Sequence, residues 1–337
     1  MRGTIRALAI VVATVVASQA WASDRGLHAV RYVMGTWCDL VIFDPDPAPD
    51  VAQSAFREIA RLDDVLSSWN PESEVSRLNA SAGRGPQPVS VDLANVAEES
   101  EALCTSTGGA FDPSVAPLLR AWGFYTESPG LPAPAIGRDA ASRVGCDRVT
   151  VRRDPRTIAL ADGAALDFGG IGKGYAVDRA LAILRARGVT RAKIDFGSSS
   201  LGYLGDIDGG WPVVISDPRD RDNPLFTIRI TGGAVSTSSQ RERSFERDGR
   251  RFGHIFDPRV GRPVESSLMS VTVIAPRGST ADSLSTALFV MGAAQGKRVI
   301  NGMPGVGAVF VEQRANGLVI TTAGKLPRLT RLTRLSN

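Results

Sequence analysis

The chain has 337 residues, of which 43% are hydrophobic, so it can bury a substantial core as one large or two small units. Its formal net charge of +4 argues against a nucleic-acid-binding protein. The three widely spaced cysteines, Cys38, Cys104 and Cys146, allow at most one disulfide and exclude a cysteine-rich metal site. We expect all three to be buried packing residues.

The N-terminus has the pattern of a secretory signal peptide. Arg2 and Arg6 precede an apolar stretch, and Ala20-Trp-Ala22 precedes a polar start. We predict cleavage after Ala22, so that residues 1–22 are the signal peptide and residues 23–337 form a single mature domain. Because no later stretch approaches the roughly 20 apolar residues of a membrane span, we expect a soluble protein that is exported to the periplasm.

Hydrophobic periodicity predicts the elements of the first third. In chain order these are a strand over Val30–Ile42, a turn over residues 44–50, a helix over Val51–Leu66, a helix over Leu93–Cys104 behind an Asp92 N-cap, and a short helix over Pro113–Trp122.

The remaining elements follow a Pro/Gly-rich loop at residues 128–134. They are a helix that ends near Arg187, strands over Ala192–Phe196, Trp211–Ile215, Phe226–Ile230, Ala234–Ser236 and Ser270–Ala275, a helix over Ala281–Met291, and strands over Gly307–Glu312 and Gly317–Thr321. Runs of strands with inserted helices favour an α+β fold.

Leu166–Asp178, which reads LDFGGIGKGYAVD, is the most informative segment. Free backbone N–H groups at a helix start, together with Lys173, suit a phosphate-bearing ligand. Lysine is rare here, with 4 lysines against 35 arginines. The segment is neither a P-loop, because Gly174 replaces the required hydroxyl residue, nor a dinucleotide fingerprint, because Tyr175 replaces its last glycine. The alternative is a tight turn that packs a helix against a sheet.

Two further motifs carry polar chemistry. His254 lies beside an Asp-Pro turn and downstream of a hydroxyl cluster, so it is a candidate general base or phosphate ligand, or else it only bonds a turn carbonyl. Asp282 and Thr286 are four residues apart on one helix face and would suit Mg²⁺. Alternatively, Thr280 is an N-cap and Asp282 a favourable first-turn charge.

The chain resembles the ApbE family, the FAD:protein FMN transferases. The resemblance runs from about residue 33 to residue 292 and is carried by motifs at Met34–Thr36, Ser67–Pro71, Gly109–Asp112, Asp167–Asp178, Ser236–Ser238, His254–Pro258 and Ala281–Thr286. It implies a compact bilobal α+β fold with mixed or antiparallel sheets flanked by helices. It also implies an Mg²⁺-dependent enzyme that moves FMN from FAD to a Thr or Ser hydroxyl of an acceptor protein and releases AMP.

The resemblance assigns a role to each site residue. FAD contacts fall on Met34, Trp69, Ala110, Phe111, Asp112, Asp167, Lys173 and Phe256. The Mg²⁺ ligands would be the Gly170 carbonyl and the side chains of Asp282 and Thr286, and the catalytic residues would be His254 and Asp282.

The sequence departs from the family pattern at three places. Gly197–Ser200 stands where Gly-Gly followed by a polar residue is common, Trp69 stands where tyrosine is common, and Ser285 stands where some members carry another acid.

Three functions stay open at this stage. The first is transfer to a periplasmic acceptor, such as a membrane electron-transfer subunit, and nitrous oxide respiration is one setting that the family allows. The second is FAD hydrolysis to FMN and AMP, and the third is a non-catalytic FAD-binding assembly factor for a respiratory reductase.

Overall fold

The computed structural model describes residues 26–240, 242–326 and 330–331, without the side chains of residues 221, 330 and 331. The predicted signal peptide, residues 1–22, lies outside the described residues. Within the described ranges, we find no helix whose length and hydrophobicity would suit a membrane span.

Seven α-helices lie within the described ranges. They are α1 (Val51–Leu66), α2 (Glu74–Asn79), α3 (Val91–Ser106), α4 (Ala116–Ala121), α5 (Pro134–Ser142), α6 (Gly172–Ala186) and α7 (Gly278–Asn301), and a short 3₁₀ turn spans Cys146–Arg148. Helix α7 is kinked at Gly292, whose φ of 75° and ψ of 166° are not helical. The helix predictions at α1 and α6 are confirmed, whereas α2 and α5 were not predicted.

Two predicted helix starts are wrong. The N-cap of α3 is Ser90, whose hydroxyl accepts from the Leu93 backbone N–H, so Asp92 lies inside the first turn. Helix α7 begins after Arg277, which places Thr280 inside the helix and Asp282 beyond its first turn.

The described strands are labelled in chain order. They are β1 (Leu27–Val33), β2 (Thr36–Ile42), β3 (Gln87–Pro88), β4 (Val149–Arg153), β5 (Arg156–Leu160), β6 (Ala192–Phe196), β7 (Ser200–Leu204), β8 (Trp211–Asp217), β9 (Asp220–Ile230), β10 (Gly233–Ser239), β11 (Ser244–Arg247), β12 (Arg250–Gly253), β13 (Phe256–Asp257), β14 (Arg262–Pro263), β15 (Leu268–Ala275), β16 (Gly307–Arg314), β17 (Gly317–Gly324) and β18 (Thr330–Arg331).

An eight-stranded sheet forms the centre, in the order β1-β2-β6-β7-β10-β15-β16-β17. Every neighbouring pair in it is antiparallel. Helices α1 and α6 pack together, with α6 against β6 and β7, while α7 packs against β10 and β15. The predicted α+β class is confirmed.

The helices bury one face of this sheet in two adjoining apolar clusters. The first joins β2 and β6 to α1 and α6, and the second joins β15 and β16 to α7. A smaller sheet of β18, β9 and β8 contributes Trp211, Ile215 and Ile228 to a third cluster, which also contains Val235 of β10. The predicted site residues are held by loops and helices around this central sheet.

The single strand predicted over Val30–Ile42 is wrong, because the segment is a hairpin. Met34 and Gly35 form its two-residue turn, with φ of 51° and 74° respectively. Such a turn needs positive φ at both positions. A carboxylate oxygen of Asp63 accepts a hydrogen bond of 3.1 Å from the Met34 N–H and helps to fix this conformation.

The cysteine prediction is also partly wrong. Cys38 is free and fully buried, as expected, but Cys104 and Cys146 form a disulfide between the end of α3 and the 3₁₀ turn. Its sulfurs lie near the carboxylate of buried Asp112. Sulfurs that are joined in a disulfide cannot act as thiolate ligands, so this group is not a metal site.

Candidate active site

One cleft of about 580 Å³ collects the predicted site residues. Its lining includes all twelve of them: Met34, Trp69, Ala110, Phe111, Asp112, Asp167, Gly170, Lys173, His254, Phe256, Asp282 and Thr286. They come from the β1–β2 turn, the loops after α1 and α3, the glycine segment, the chain around β13, and α7. The structure brings the residues together, and their individual roles stay predictions.

The glycine segment packs a helix and also lines the cleft, so the two interpretations are compatible. A Cβ added at Gly174 would lie 2.1 Å from the Gly278 carbonyl oxygen, which shows how closely α6 approaches α7. The Gly172 N–H bonds the Phe168 carbonyl, and the Gly174 N–H bonds Asp282. These two amides are therefore not free for a phosphate, so the prediction of free N–H groups at this helix start is wrong for both of them.

Lys173 projects from the first turn of α6 into the cleft. Its Nζ donates a 2.7 Å hydrogen bond to Ser199 Oγ, which in turn donates to the Phe196 carbonyl. Gly197 and Ser198, at the turn between β6 and β7, have φ of 55° and 63°. Ser198 thus adopts the conformation that favours glycine, so the departure from Gly-Gly preserves the turn.

Asp282 is a buried carboxylate surrounded by hydrogen-bond donors. Its Oδ2 accepts from the Gly174 N–H at 2.9 Å, and its Oδ1 accepts from the hydroxyls of Ser236 at 3.0 Å and Ser200 at 3.3 Å. No lysine or arginine of the described ranges forms an ion pair with it. A buried carboxylate in this setting favours a bound cation as counter-charge. The interpretation of Asp282 as only a first-turn charge is wrong.

Thr286 lies one turn further along α7, beside the glycine segment. Its Oγ1 would lie 3.1 Å from a Cβ added at Gly170, so the hydroxyl and the Gly170 backbone are close neighbours. The Asp282 carboxylate, the Thr286 hydroxyl and the Gly170 carbonyl would offer oxygen ligands, the type that Mg²⁺ prefers. Ser285 is fully buried and bonds Ser238 Oγ at 2.8 Å, so it joins a hydroxyl network beside the cleft.

His254 is held through both its backbone and its ring. The Arg243 carbonyl accepts the His254 backbone N–H at 3.0 Å and lies 3.2 Å from Nδ1. Because a carbonyl only accepts, Nδ1 carries the proton and Nε2 keeps its lone pair. Desolvation, aided by the positive charges of Arg243 and Lys173, lowers the pKa of His254 to about 4. The imidazole is therefore neutral at pH 7 and can accept a proton.

Aromatic side chains also line the cleft. Trp69 is 51% exposed and makes an edge contact with Tyr125, whose ring centre is 5.1 Å away. The Tyr125 hydroxyl donates a 2.6 Å hydrogen bond to Asp167, and burial raises the pKa of this tyrosine. Phe111 and Phe256 are buried and also line the cleft. A planar ring system suits this surface.

Sequence reasoning missed three residues that shape the cleft: Tyr125, Ser199 and Arg243. Tyr125 lies 42 positions from its partner Asp167, and Ser199 lies 26 positions from Lys173. No local motif marks these contacts. Among these three residues, only Ser199 lies in a segment that the sequence marks, Gly197–Ser200, and that segment does not indicate a lysine partner.

Comparisons with known proteins agree with this geometry. The ApbE family profile matches residues 34–310. An FAD:protein FMN transferase from Treponema pallidum is 31% identical over 306 residues, which cover 85% of this chain and 84% of that protein. The crystal structure of an ApbE protein from Thermotoga maritima superposes with a TM-score of 0.79 at 30% identity, covering 88% of this chain and 96% of that one. The flavin transferase ApbE from Vibrio cholerae gives the same TM-score and coverage at 26% identity. This chain belongs to the ApbE family.

Proposed function

We propose that the protein transfers FMN from FAD to a Thr or Ser hydroxyl of an acceptor protein and releases AMP. The observation that carries the proposal is the shared cleft, in which neutral His254 lies with Lys173 and buried Asp282. A base, a cation and a candidate metal site are the parts that phosphoryl transfer needs, because it depends chiefly on positioning and charge neutralisation. The similar proteins named above support this assignment.

In the proposed reaction the acceptor oxygen attacks the phosphorus on the FMN side of the diphosphate, and the bond from that phosphorus to the bridging oxygen of AMP breaks. His254 Nε2 takes the hydroxyl proton, a role worth roughly 10² to 10⁴ in rate. The negative phosphates of bound FAD would raise the His254 pKa from its low value in the free protein, which strengthens the base.

Lys173 would hold the diphosphate from the side of α6. Its hydrogen bond to Ser199 keeps the flexible stem directed into the cleft, so less rotamer freedom is lost on binding. Asp282, Thr286 and the Gly170 carbonyl would hold Mg²⁺, which when bound polarises the phosphate and offsets charge on the departing oxygen. The donors around Asp282 fix its carboxylate in place for that role.

We further propose that the reaction takes place in the periplasm, on the strength of the predicted signal peptide. The acceptor would be a membrane electron-transfer subunit with a Thr or Ser on its periplasmic side, and a subunit of nitrous oxide respiration is one such acceptor. Fractionation of cells that express the full chain tests export. Full-length protein that stays in the cytoplasm would contradict it.

The decisive experiment incubates the purified protein with FAD, Mg²⁺ and an acceptor protein that the Vibrio cholerae flavin transferase modifies. We expect an acceptor heavier by about 438 Da, which is FMN minus water, and loss of the adduct when the acceptor's Thr or Ser is changed to Ala. Unchanged acceptor mass with AMP release at full rate would indicate a hydrolase instead. FAD binding without either product would indicate a carrier.

A further inference from the structure

The cleft contains more negative than positive side chains. Its lining has five carboxylates, those of Asp63, Asp112, Asp167, Glu242 and Asp282, and within the described residues two cations, those of Lys173 and Arg243. Lys173 has an assigned partner in the diphosphate, whereas Arg243 has none.

Arg243 is held in the cleft without a carboxylate. Its guanidinium carbon lies 4.3 Å from the centre of the Trp69 ring, and its Nη2 donates a 2.9 Å hydrogen bond to the Phe124 carbonyl. Within the described ranges it forms no ion pair, unlike neighbouring Arg259, which is bound to Asp257. Its positive charge is therefore available to a ligand.

The two cations make different contacts in the cleft. Lys173 donates to Ser199 Oγ, and the next residue, Gly174, donates its N–H to the candidate metal ligand Asp282. The Arg243 side chain contacts the aromatic ring of Trp69 and the Phe124 carbonyl. A ligand that carries both a diphosphate and a planar ring would therefore meet Lys173 through its diphosphate and Arg243 through its ring.

We propose that Arg243 is a substrate-contacting residue that binds the flavin half of FAD. The flavin ring offers carbonyl oxygens along one edge, and the planar guanidinium presents several N–H donors in a fixed fork that suits them. Stacking on Trp69 keeps the guanidinium extended before the ligand arrives, which lowers the entropy cost of binding. This proposal rests on the proposed function, because it takes FAD as the substrate.

The position of Arg243 also links the ligand to the base. The carbonyl of this same residue accepts the His254 N–H and orients its ring, while the side chain lies over Trp69. A flavin bound to the guanidinium would therefore steady the peptide that aligns His254. The side-chain contact and the backbone contact can be tested separately, since substitution of Arg243 leaves its carbonyl in place.

The test measures the binding of three probes to the whole protein: FAD, riboflavin, which has no phosphate, and ADP, which has no flavin. Arg243→Gln should weaken FAD and riboflavin about 10-fold or more, as expected when a hydrogen bond to a charged group is lost, and should leave ADP unchanged. Arg243→Lys should recover only part of the loss, because ammonium lacks the planar fork. Lys173→Gln should instead weaken FAD and ADP and leave riboflavin unchanged.

Arg250→Gln is the matched control. Arg250 also lies over an aromatic ring, that of Phe252 at 5.5 Å, but it pairs with Glu265 and does not line the cleft. Its substitution should change none of the three affinities. Unchanged FAD and riboflavin affinity in Arg243→Gln, or an equal loss of ADP affinity, would overturn the proposal. A wild-type protein that binds none of the probes would instead refute the proposed function.

Discussion

The contact between α6 and α7 gives the sharpest test of how the site is built, through the substitution Gly174→Ala. The new Cβ would lie 2.1 Å from the Gly278 carbonyl oxygen and 2.6 Å from the Asp282 Cβ. Both distances are much shorter than a van der Waals contact. Neither the Gly278 carbonyl nor the Asp282 Cβ can rotate away, unlike the far end of a flexible side chain. The two helices must therefore separate, which also stretches the 2.9 Å bond from the Gly174 N–H to Asp282.

The expected cost follows from these contacts. Overpacking costs about 1–3 kcal/mol, and loss of a hydrogen bond to a buried carboxylate costs about 1.5–3 kcal/mol. Alanine returns about 1 kcal/mol through its better helix propensity. We expect the free energy of unfolding to fall by about 1.5–5 kcal/mol and the rate of FMN transfer to fall with it, because Asp282 loses its position.

The assay is urea unfolding, followed by circular dichroism and tryptophan fluorescence, with Gly137→Ala as the control. Gly137 is also helical, in α5, but its added Cβ would meet only Pro132 Cγ at 3.5 Å, an ordinary contact. That variant should be unchanged or more stable by up to about 1 kcal/mol. If Gly174→Ala unfolds at the same urea concentration as the wild type, the inferred constraint at this crossing is wrong.

Three other predictions concern the base, the metal ligand and the disulfide. His254→Gln should lower the transfer rate about 10²- to 10⁴-fold with FAD affinity retained, and an unchanged rate would exclude it as the base. This substitution should also flatten the pH dependence of the free energy of unfolding, because the pKa of His254 in the folded protein, about 4, lies below its ordinary value of 6.5. The unfolded chain therefore binds the proton first, and the free energy of unfolding falls as pH drops from about 6.5 to about 4. Asp282→Asn should abolish Mg²⁺ binding measured by calorimetry, and retained binding would contradict its role. Reduction of the Cys104–Cys146 disulfide, whose cysteines are 42 positions apart, should lower the free energy of unfolding in urea by up to about 4 kcal/mol. The same loss on reduction of the Cys38→Ser variant would show that the free cysteine does not cause it.

The elements that could be predicted are those with one buried face. The predicted bounds of α1 at Val51–Leu66 and of β6 at Ala192–Phe196 match the structure, because in both the burial pattern follows the local repeat. The β1–β2 turn could not be found in this way. Methionine is not a turn residue, and Met34 holds its positive φ with help from Asp63, 29 positions away. Tertiary contacts determine the turn.

The candidate site also contains residues that a local motif marks and residues that only tertiary contacts bring into place. Lys173, His254, Asp282 and Thr286 stand in short motifs, and the family resemblance placed them in one site before the structure did. Arg243 has no motif, because its contacts are with Trp69 and Phe124, more than a hundred positions away. The disulfide was missed for a related reason, since the spacing of two cysteines says nothing about their separation in space.

The failure of the glycine segment to match a P-loop now has a physical explanation. A P-loop places a hydroxyl residue directly after its lysine, where it binds Mg²⁺. Here that position is Gly174, and the 2.1 Å approach of the Gly278 carbonyl leaves no room for any side chain. Under the proposed function the metal-binding hydroxyl comes instead from Thr286, on the helix that occupies this space. The contact that excludes a serine at residue 174 also places Asp282 against the start of α6. One close helix crossing therefore both removes the P-loop hydroxyl and supplies its replacement.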